Sequence, residues 1–247
     1  MLKNHKLISL CIGLGFLLVV EKFALPVPVF RLLLPALLVY AGLVTIYNRR
    51  YLKQIQKYNI WLLLRPLLLM LSLFGLFFFT LSEFFQGLFL LLGALIIVVF
   101  EMLLGNQAEN ILLNETLVIA FAAFYSLFGA YYYGPNYGPV YLAGAFFASL
   151  FLVRSFYEFI PLSNKTKMVC AVAIGLFVCQ LYWALIFLPF HFSILALLLF
   201  NFFYFFLILN YYHLFHVFNL KKLQFHFLFM AVTGTIALLA TPWRIVG

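Results

Sequence analysis

The fold is decided by one long apolar stretch, IWLLLRPLLLMLSLFGLFFFTLSEFFQGLFLLLGALIIVVFEMLL, which occupies residues 60–104. A transmembrane helix needs about 20 apolar residues, so this stretch is too long for a single crossing. It is interrupted by SEFFQG at residues 82–87, where polar side chains and a glycine predict a tight turn. Because backbone groups exposed to lipid must be hydrogen-bonded within their own segment, we expect two helices, at 60–82 and 85–104.

The rest of the chain has the same character. Of its 247 residues, 67% are hydrophobic and 9% are charged, whereas an average soluble domain is about 45–50% apolar and about 25% charged. A water-soluble enzyme or nucleic-acid-binding domain could not bury this much apolar surface. The sequence predicts an all-α, polytopic transmembrane helical bundle of nine spans, at 7–24, 29–47, 60–82, 85–104, 116–133, 139–160, 168–188, 192–218 and 225–241. An eight-span bundle, with the first or last helix in the membrane interface, is the alternative.

Basic residues mark one side of this bundle. With the N-terminus in the cytoplasm, ten of the 15 Lys and Arg residues fall on inside connectors and three on outside connectors. Arg65 and Arg154 lie near cytoplasmic span ends, where we expect their side chains to snorkel to the interface. The positive-inside rule then predicts a bacterial-type cytoplasmic membrane protein with its N-terminus inside and its C-terminus outside. The net charge of +9 sets topology beside anionic lipid and does not indicate a nucleic-acid partner.

The connectors between the predicted spans are short, the longest being 48–59 and 105–115. We therefore predict a single integral-membrane helical domain over residues 1–247, without a soluble domain. The chain has six Glu and no Asp, which removes mechanisms that need paired aspartates. It also has no H-E-x-x-H, G-x-S-x-G or Walker A motif, and we expect no cofactor.

Small residues form a stripe on the fifth predicted span and continue on the sixth. Small side chains let transmembrane helices approach closely where no hydrophobic force drives them together. The connecting sequence GPNYGP, at 134–139, suits a tight reversal. We therefore predict a close hairpin of spans five and six, with a similar stripe at Ala171, Gly175 and Cys179 on span seven. The predicted packing residues of the hairpin are Ala122, Ser126, Ala130, Gly134, Gly144 and Ala148.

Two groups of charged side chains are candidates for catalysis at the cytoplasmic rim. Glu101 lies inside an apolar run, where a carboxylate should face the bundle interior or a partner charge. Glu109 belongs to the connector that follows, which is rich in acids and amides and could bind a divalent cation or a basic partner. Arg154 and Glu158 are four residues apart on one helix face, which predicts an ion pair or a clamp for a lipid phosphate.

Three histidines are candidates for a metal site. His213 and His216 are three residues apart near the inner end of span eight, and His226 begins span nine. Two imidazoles on one helix face and a third on the next helix could bind a metal ion. The alternatives are interfacial polar residues or a proton-linked role.

The sequence leaves three functions open. The favoured one is a non-catalytic assembly factor, scaffold or subunit of a cell-envelope complex, whose partners are the lipid bilayer and other membrane proteins. The second is a membrane-embedded enzyme or flippase for a lipid or polyprenyl-linked substrate at the cytoplasmic rim. The third is a small-solute transporter. Convergence of Glu101, Arg154, Glu158 and His213 on one inward-open cavity would favour the second, whereas separate contacts to neighbouring helices would favour the first.

Overall fold

The computed structural model describes residues 2–24, 33–54, 59–80, 82–104, 109–135, 137–158, 160–214 and 220–239. This part of the chain forms nine helices and no strand, which confirms the predicted all-α fold. Each helix overlaps one predicted span. The helices are α1 Leu2–Ala24, α2 Leu33–Gln54, α3 Ile60–Phe78, α4 Glu83–Leu103, α5 Glu109–Tyr133, α6 Gly138–Tyr157, α7 Asn164–Leu185, α8 Phe192–Leu214 and α9 Leu220–Leu239.

Polar residues lie at the helix boundaries. The tight turn predicted at residues 82–87 of the long apolar stretch falls earlier, between Phe78 and Glu83, because residues 83–87 form the start of α4. α3 ends at Phe78, and α4 begins at Glu83, whose carboxylate in the first turn complements the helix dipole. The Gln86 amide donates to the Thr80 carbonyl at 2.6 Å and ties the start of α4 to the end of the preceding segment. At the start of α3, Asn59 Oδ1 accepts from the Trp61 N–H at 2.9 Å, as an N-cap does.

Five of the described helices are long and apolar enough to cross a membrane. They are Glu83–Leu103, Ile111–Tyr133, Gly138–Tyr157, Asn164–Leu185 and Phe192–Leu214. Shorter apolar helices occupy Leu63–Phe78 and Leu223–Leu239. The helical membrane class is therefore confirmed, and the count of nine spans stays a prediction.

Contacts divide the chain into two compact units, Met1–Ala123 and Phe124–Gly247, and the boundary falls within α5. In the first unit, α1 packs on α2 and α4, and α3 packs on α2 and α4. Its centre includes fully buried apolar side chains such as Phe16, Leu37 and Met70. In the second unit, α7 packs between α6 and α8, and α9 packs on α8. The prediction of one domain stays a prediction.

The closest hairpin of the second unit lies one helix later than predicted. Among the described residues of this unit, α6 and α7 have the most extensive backbone contact. Gly175 on α7 makes this possible, because a Cβ there would lie 3.2 Å from the Phe146 ring and 3.3 Å from the Phe146 carbonyl oxygen. α5 and α6 contact each other through side chains, since a Cβ on Gly144 would lie 2.9 Å from Leu127 Cδ2.

The six residues predicted to pack this hairpin therefore do not form one continuous buried contact. Ala122 is buried, whereas Gly134 is exposed and the remaining four have intermediate burial. The stripe noted on span seven forms the closer contact, with Ala171 and Gly175 buried and Cys179 beside the Leu142 carbonyl. Small residues do mark close approach here, but their spacing did not reveal which neighbour would use them.

Candidate functional sites within the two units

Glu101 is the centre of a buried polar cluster that joins three helices of the first unit. Its side chain projects from α4 and is 2% exposed. Oε1 accepts from Asn48 Nδ2 on α2 at 2.9 Å, and Asn48 is fully buried. The Glu101 carbonyl oxygen is contacted by His5 Nε2 on α1 at 2.9 Å. Glu101 therefore faces the interior, and its partners are an amide and an imidazole rather than a substrate cavity.

The hydrogen-bond partners of His5 fix the role of one ring nitrogen. Since a carbonyl oxygen can only accept, Nε2 must carry the hydrogen that it donates to the Glu101 main-chain carbonyl. Nδ1 lies 2.9 Å from the Tyr47 hydroxyl, which can donate or accept. Tyr51 stacks on the ring, with 3.7 Å between centroids and 11° between planes. Sequence reasoning missed His5, because a histidine among Lys and Asn near a terminus carries no periodic signal of burial.

A second buried pair in the first unit was also missed. Arg65 on α3 is completely buried, and its Nη2 lies 3.2 Å from Oε2 of Glu115 on α5. The same nitrogen donates to the Leu112 carbonyl and to Thr116 Oγ1, each at 2.9 Å. The expectation that Arg65 snorkels to the interface is therefore wrong, because a partner charge on the neighbouring helix holds it inside. The signal in the sequence was a lone Arg inside an apolar run, which needs a partner charge, and an acid, Glu115, at the edge of the next predicted span but one.

Arg154 and Glu158 form the expected ion pair at the end of α6. The pair also reaches the next helix, because Arg154 Nη2 lies 3.4 Å from Asn164 Oδ1 at the start of α7. Lys167 on α7 donates to the Glu158 carbonyl at 2.9 Å. Arg154 and Lys167 are both buried, so snorkelling does not describe Arg154 either. These contacts hold the end of α6 to the start of α7, where the chain turns between the two helices.

The three-histidine metal site stays a prediction, because His216 lies outside the described residues. No group of three His, Cys, Asp or Glu side chains there could hold an ion. Both ring nitrogens of His226 on α9 contact tyrosine hydroxyls of α8, those of Tyr204 and Tyr212, the latter at 3.1 Å. His213 is exposed on α8, and His216 lies outside the described residues.

His191 lies in the turn between α7 and α8, where burial and a hydrogen bond affect the protonation of its ring. Burial lowers the pKa of its ring from the ordinary value. Nδ1 lies 2.7 Å from Ser193 Oγ and 3.4 Å from the Ser193 nitrogen, whose N–H can only donate, so this backbone contact favours an unprotonated Nδ1. Desolvation and this contact favour the same protonation state.

An apolar groove of about 440 Å³ runs between α7 and α8. Phe177 and Phe206 meet across it, with 3.9 Å between ring centroids. Asn210 and His213 provide its polar lining, and Asn210 Oδ1 also accepts from the Tyr157 hydroxyl at 3.0 Å. The other lining residues are Ala173, Ile174 and Leu209.

The predicted catalytic residues are thus distributed among separate contacts. Glu101 contacts helices of the first unit, and Arg154 and Glu158 contact one another and α7 in the second. His213 belongs to the apolar groove. The side chain of Glu109 lies outside the described residues. Each described candidate that is charged and buried is used to hold one helix to another.

No known protein family, curated protein or solved structure matches the chain. The structural class of the protein is therefore inferred from its helices alone. Several of them are long and apolar enough to cross a bilayer, and the buried Arg65 and Arg154 form ion pairs with Glu115 and Glu158. These features define a helical membrane protein.

Proposed function

We propose that the chain is a non-catalytic, multi-pass subunit or scaffold of a cell-envelope assembly. One observation supports this proposal: within the described residues, the buried charged side chains contact other parts of the same chain instead of lining a shared cavity. Arg65 is bound to Glu115, and Arg154 is bound to Glu158 and approaches Asn164.

Energetics explain why such residues are poorly suited to turnover. Removing one partner of a buried ion pair leaves an uncompensated charge and costs about 3–5 kcal/mol. A catalytic group that changes its charge during a reaction would incur a similar penalty in each cycle. Residues held in this way are better suited to fixing helix positions, which is the property that an assembly subunit requires.

The proposed membrane is a bacterial-type cytoplasmic membrane, with the N-terminus inside and the C-terminus outside. The support is the uneven distribution of Lys and Arg between the two sets of connectors. A fusion of a compartment-sensitive reporter to each terminus tests it. Signals from the same side at both termini would contradict this orientation and would favour an even number of spans.

Native mass spectrometry of the full chain, extracted from its source membranes in mild detergent, tests the assembly role. We expect a complex in which the chain and a membrane protein partner occur in fixed stoichiometry. A monomer without a protein partner would contradict the proposal.

A double variant separates a structural tie from a catalytic pair. Arg154→Met with Glu158→Met removes both charges and keeps apolar volume, so we expect the same complex to form. Glu158→Met alone, which removes the carboxylate that contacts the buried Arg154, should lower the amount of folded chain. A catalytic pair would instead lose function equally in the single and the double variant while the complex persisted.

The groove between α7 and α8 favours a second candidate function, the binding of a lipid. An acyl chain fits walls formed by Phe177, Phe206 and their apolar neighbours, while Asn210 and His213 offer hydrogen bonds to a polar headgroup. This arrangement suits a lipid carrier or a lipid-processing protein.

Bound lipid is measured by native mass spectrometry in nanodiscs with Ala173→Trp, which fills the groove. Ala184→Trp is the matched control, because Ala184 is exposed on the same helix and does not line the groove. We expect the first variant to lose a retained lipid and the control to keep it. Equal lipid retention in both variants would rule out this groove.

A further inference from the structure

We infer that the junction of α1, α2 and α4 is a proton-binding site, in which Glu101 carries one proton that it shares with Asn48. The inference starts from two unpartnered atoms on two groups that already contact each other. Asn48 Nδ2 donates to Glu101 Oε1 at 2.9 Å. The other oxygens of these groups, Glu101 Oε2 and Asn48 Oδ1, are both buried and have no hydrogen-bond partner among the described residues.

Two buried acceptors without a donor are unfavourable. A buried polar group without a hydrogen-bond partner costs about 1–3 kcal/mol, and a charged one costs more. A carboxylate offers only acceptors, whereas a protonated carboxyl offers one donor and one acceptor. The Asn48 side-chain amide likewise offers an N–H donor and a carbonyl acceptor, so it can pair with a protonated carboxyl through two hydrogen bonds. One proton on Oε2, donated to Asn48 Oδ1, therefore satisfies both oxygens and gives a neutral pair.

Within the described part of the chain, no cationic side chain forms an ion pair with the Glu101 carboxylate. Nε2 of His5 on α1 donates to the Glu101 main-chain carbonyl and Nδ1 contacts Tyr47, so neither nitrogen contacts the carboxylate, and the charged side chain of α3, Arg65, is engaged by Glu115. Glu115 itself interacts electrostatically with Glu101 as a second acid, which disfavours two negative charges. Neither ion pair within the described residues includes Glu101. The titratable and charged groups around the site are His5 from α1, Tyr40 and Tyr47 from α2, Arg65 from α3 and Glu115 from α5.

A metal ion does not fit the same atoms. Divalent cations in proteins take about six or more oxygen ligands, of which several are carboxylates or waters. Glu101 and Asn48 leave two oxygens free, in a position closed to solvent. A proton needs only these two, and it is the ligand that the geometry supports.

Difference infrared spectroscopy of the full chain in nanodiscs tests the site directly. Glu101→Gln should remove the carbonyl stretching band of one protonated carboxylic acid. Asn48→Leu should shift that band, because the carboxyl loses its hydrogen-bond partner. The matched control is Glu83→Gln, at the exposed start of the same helix, which should remove a carboxylate band instead.

Stability gives an independent readout. The side-chain amide introduced by Glu101→Gln presents the same donor and acceptor as a protonated carboxyl, so the melting temperature of this variant should stay within about 2 °C of the parent. Glu101→Leu leaves Asn48 unpaired and should melt at least about 4 °C lower.

Three results would overturn the proposal. The first is loss of a carboxylate band, rather than a carboxylic acid band, in Glu101→Gln. The second is a Glu101 carboxylate band that shifts on addition of Na⁺ or Mg²⁺, which would assign a cation to the site. The third is a Glu101→Gln variant that fails to fold, because a neutral carboxyl would tolerate this replacement.

Discussion

The buried pair Arg65–Glu115 gives the sharpest test of how the first unit is held together. Arg65 is completely buried, the Glu115 side chain is 10% exposed, and the nearest charged atoms are 3.2 Å apart. The guanidinium is incompletely satisfied, because Nε and Nη1 have no hydrogen-bond partner among the described residues. The perturbation is replacement of each residue by Met, singly and together.

The expected changes in the free energy of unfolding follow from the burial of both charges. Arg65→Met leaves a buried carboxylate without its cation, and Glu115→Met leaves a buried guanidinium without its anion, so each should destabilise by about 3–5 kcal/mol. In a chain of this length that corresponds to about 10 °C in melting temperature. The double variant removes both charges together with the two unpartnered nitrogens. We expect it to be as stable as the parent within about 1 kcal/mol, or more stable.

The assay is thermal or denaturant unfolding in nanodiscs, analysed as a double-mutant cycle. Glu83→Gln on the exposed part of α4 serves as the control and should cost less than about 1 kcal/mol, the size of a helix-dipole interaction. Single-variant losses that simply add in the double variant, with a coupling energy near zero, would refute the conclusion that these two charges stabilise each other.

Two further predictions concern packing and pH. Gly175→Val should destabilise the second unit by about 1–3 kcal/mol, measured by unfolding, because its side chain would press on Phe146. Gly42→Ala is the matched control, since a Cβ at Gly42 meets nothing within 4 Å, and it should stabilise α2 by about 0.5–1 kcal/mol. For His191, whose pKa burial lowers, the folded state prefers the neutral ring, so stability is present above the ordinary pKa and is lost as the pH falls below it. The melting temperature of His191→Gln should therefore fall less than that of the parent between about pH 7 and pH 5, and equal slopes would contradict this.

Periodicity and composition were sufficient to predict the helices, because each apolar run must satisfy its own backbone in lipid. The break before α4 was visible as Ser82 and Glu83, and α4 begins there. The neighbours of each helix were harder to predict. In lipid, apolar faces are alike, so the helix pairing is chosen by close fits such as Gly175 against Phe146, which depend on three-dimensional position.

For the candidate residue Glu101 too, burial could be predicted from the sequence, whereas the contacting partners could not. A carboxylate within an apolar run must find polar partners, and this correctly placed Glu101 in the interior. Its partners could not be predicted, because Asn48 and His5 belong to other helices and lie far away in sequence. Arg65 was misplaced for a related reason. Its position near a span end suggested an escape to the interface, while Glu115, which makes burial possible, belongs to a different helix.

The high aromatic content acquires a physical role once the helix contacts are known. The chain has 33 Phe and 15 Tyr. Helices in lipid gain little from the hydrophobic effect when they associate, so they depend on close packing and hydrogen bonds. In the second unit, ring pairs provide that packing between helices. They are Phe124–Phe203 between α5 and α8, Phe128–Tyr182 between α5 and α7, and Phe177–Phe206 between α7 and α8, with centroids 5.5, 4.3 and 3.9 Å apart.

These ring pairs explain how the second unit can pack with few charges. An aromatic pair contributes about 0.5–1.5 kcal/mol beyond the area that it buries. Hydrogen bonds between membrane helices average about 0.6 kcal/mol, so a few ring pairs equal several such bonds. The second unit has charged contacts at the junction of α6 and α7, whereas the first unit places a buried ion pair and a carboxyl–amide contact between its helices. Charge-removing variants should therefore affect the first unit most strongly, whereas Phe-to-Leu replacements at the ring pairs should loosen the second, since Leu keeps apolar volume and loses the ring contact.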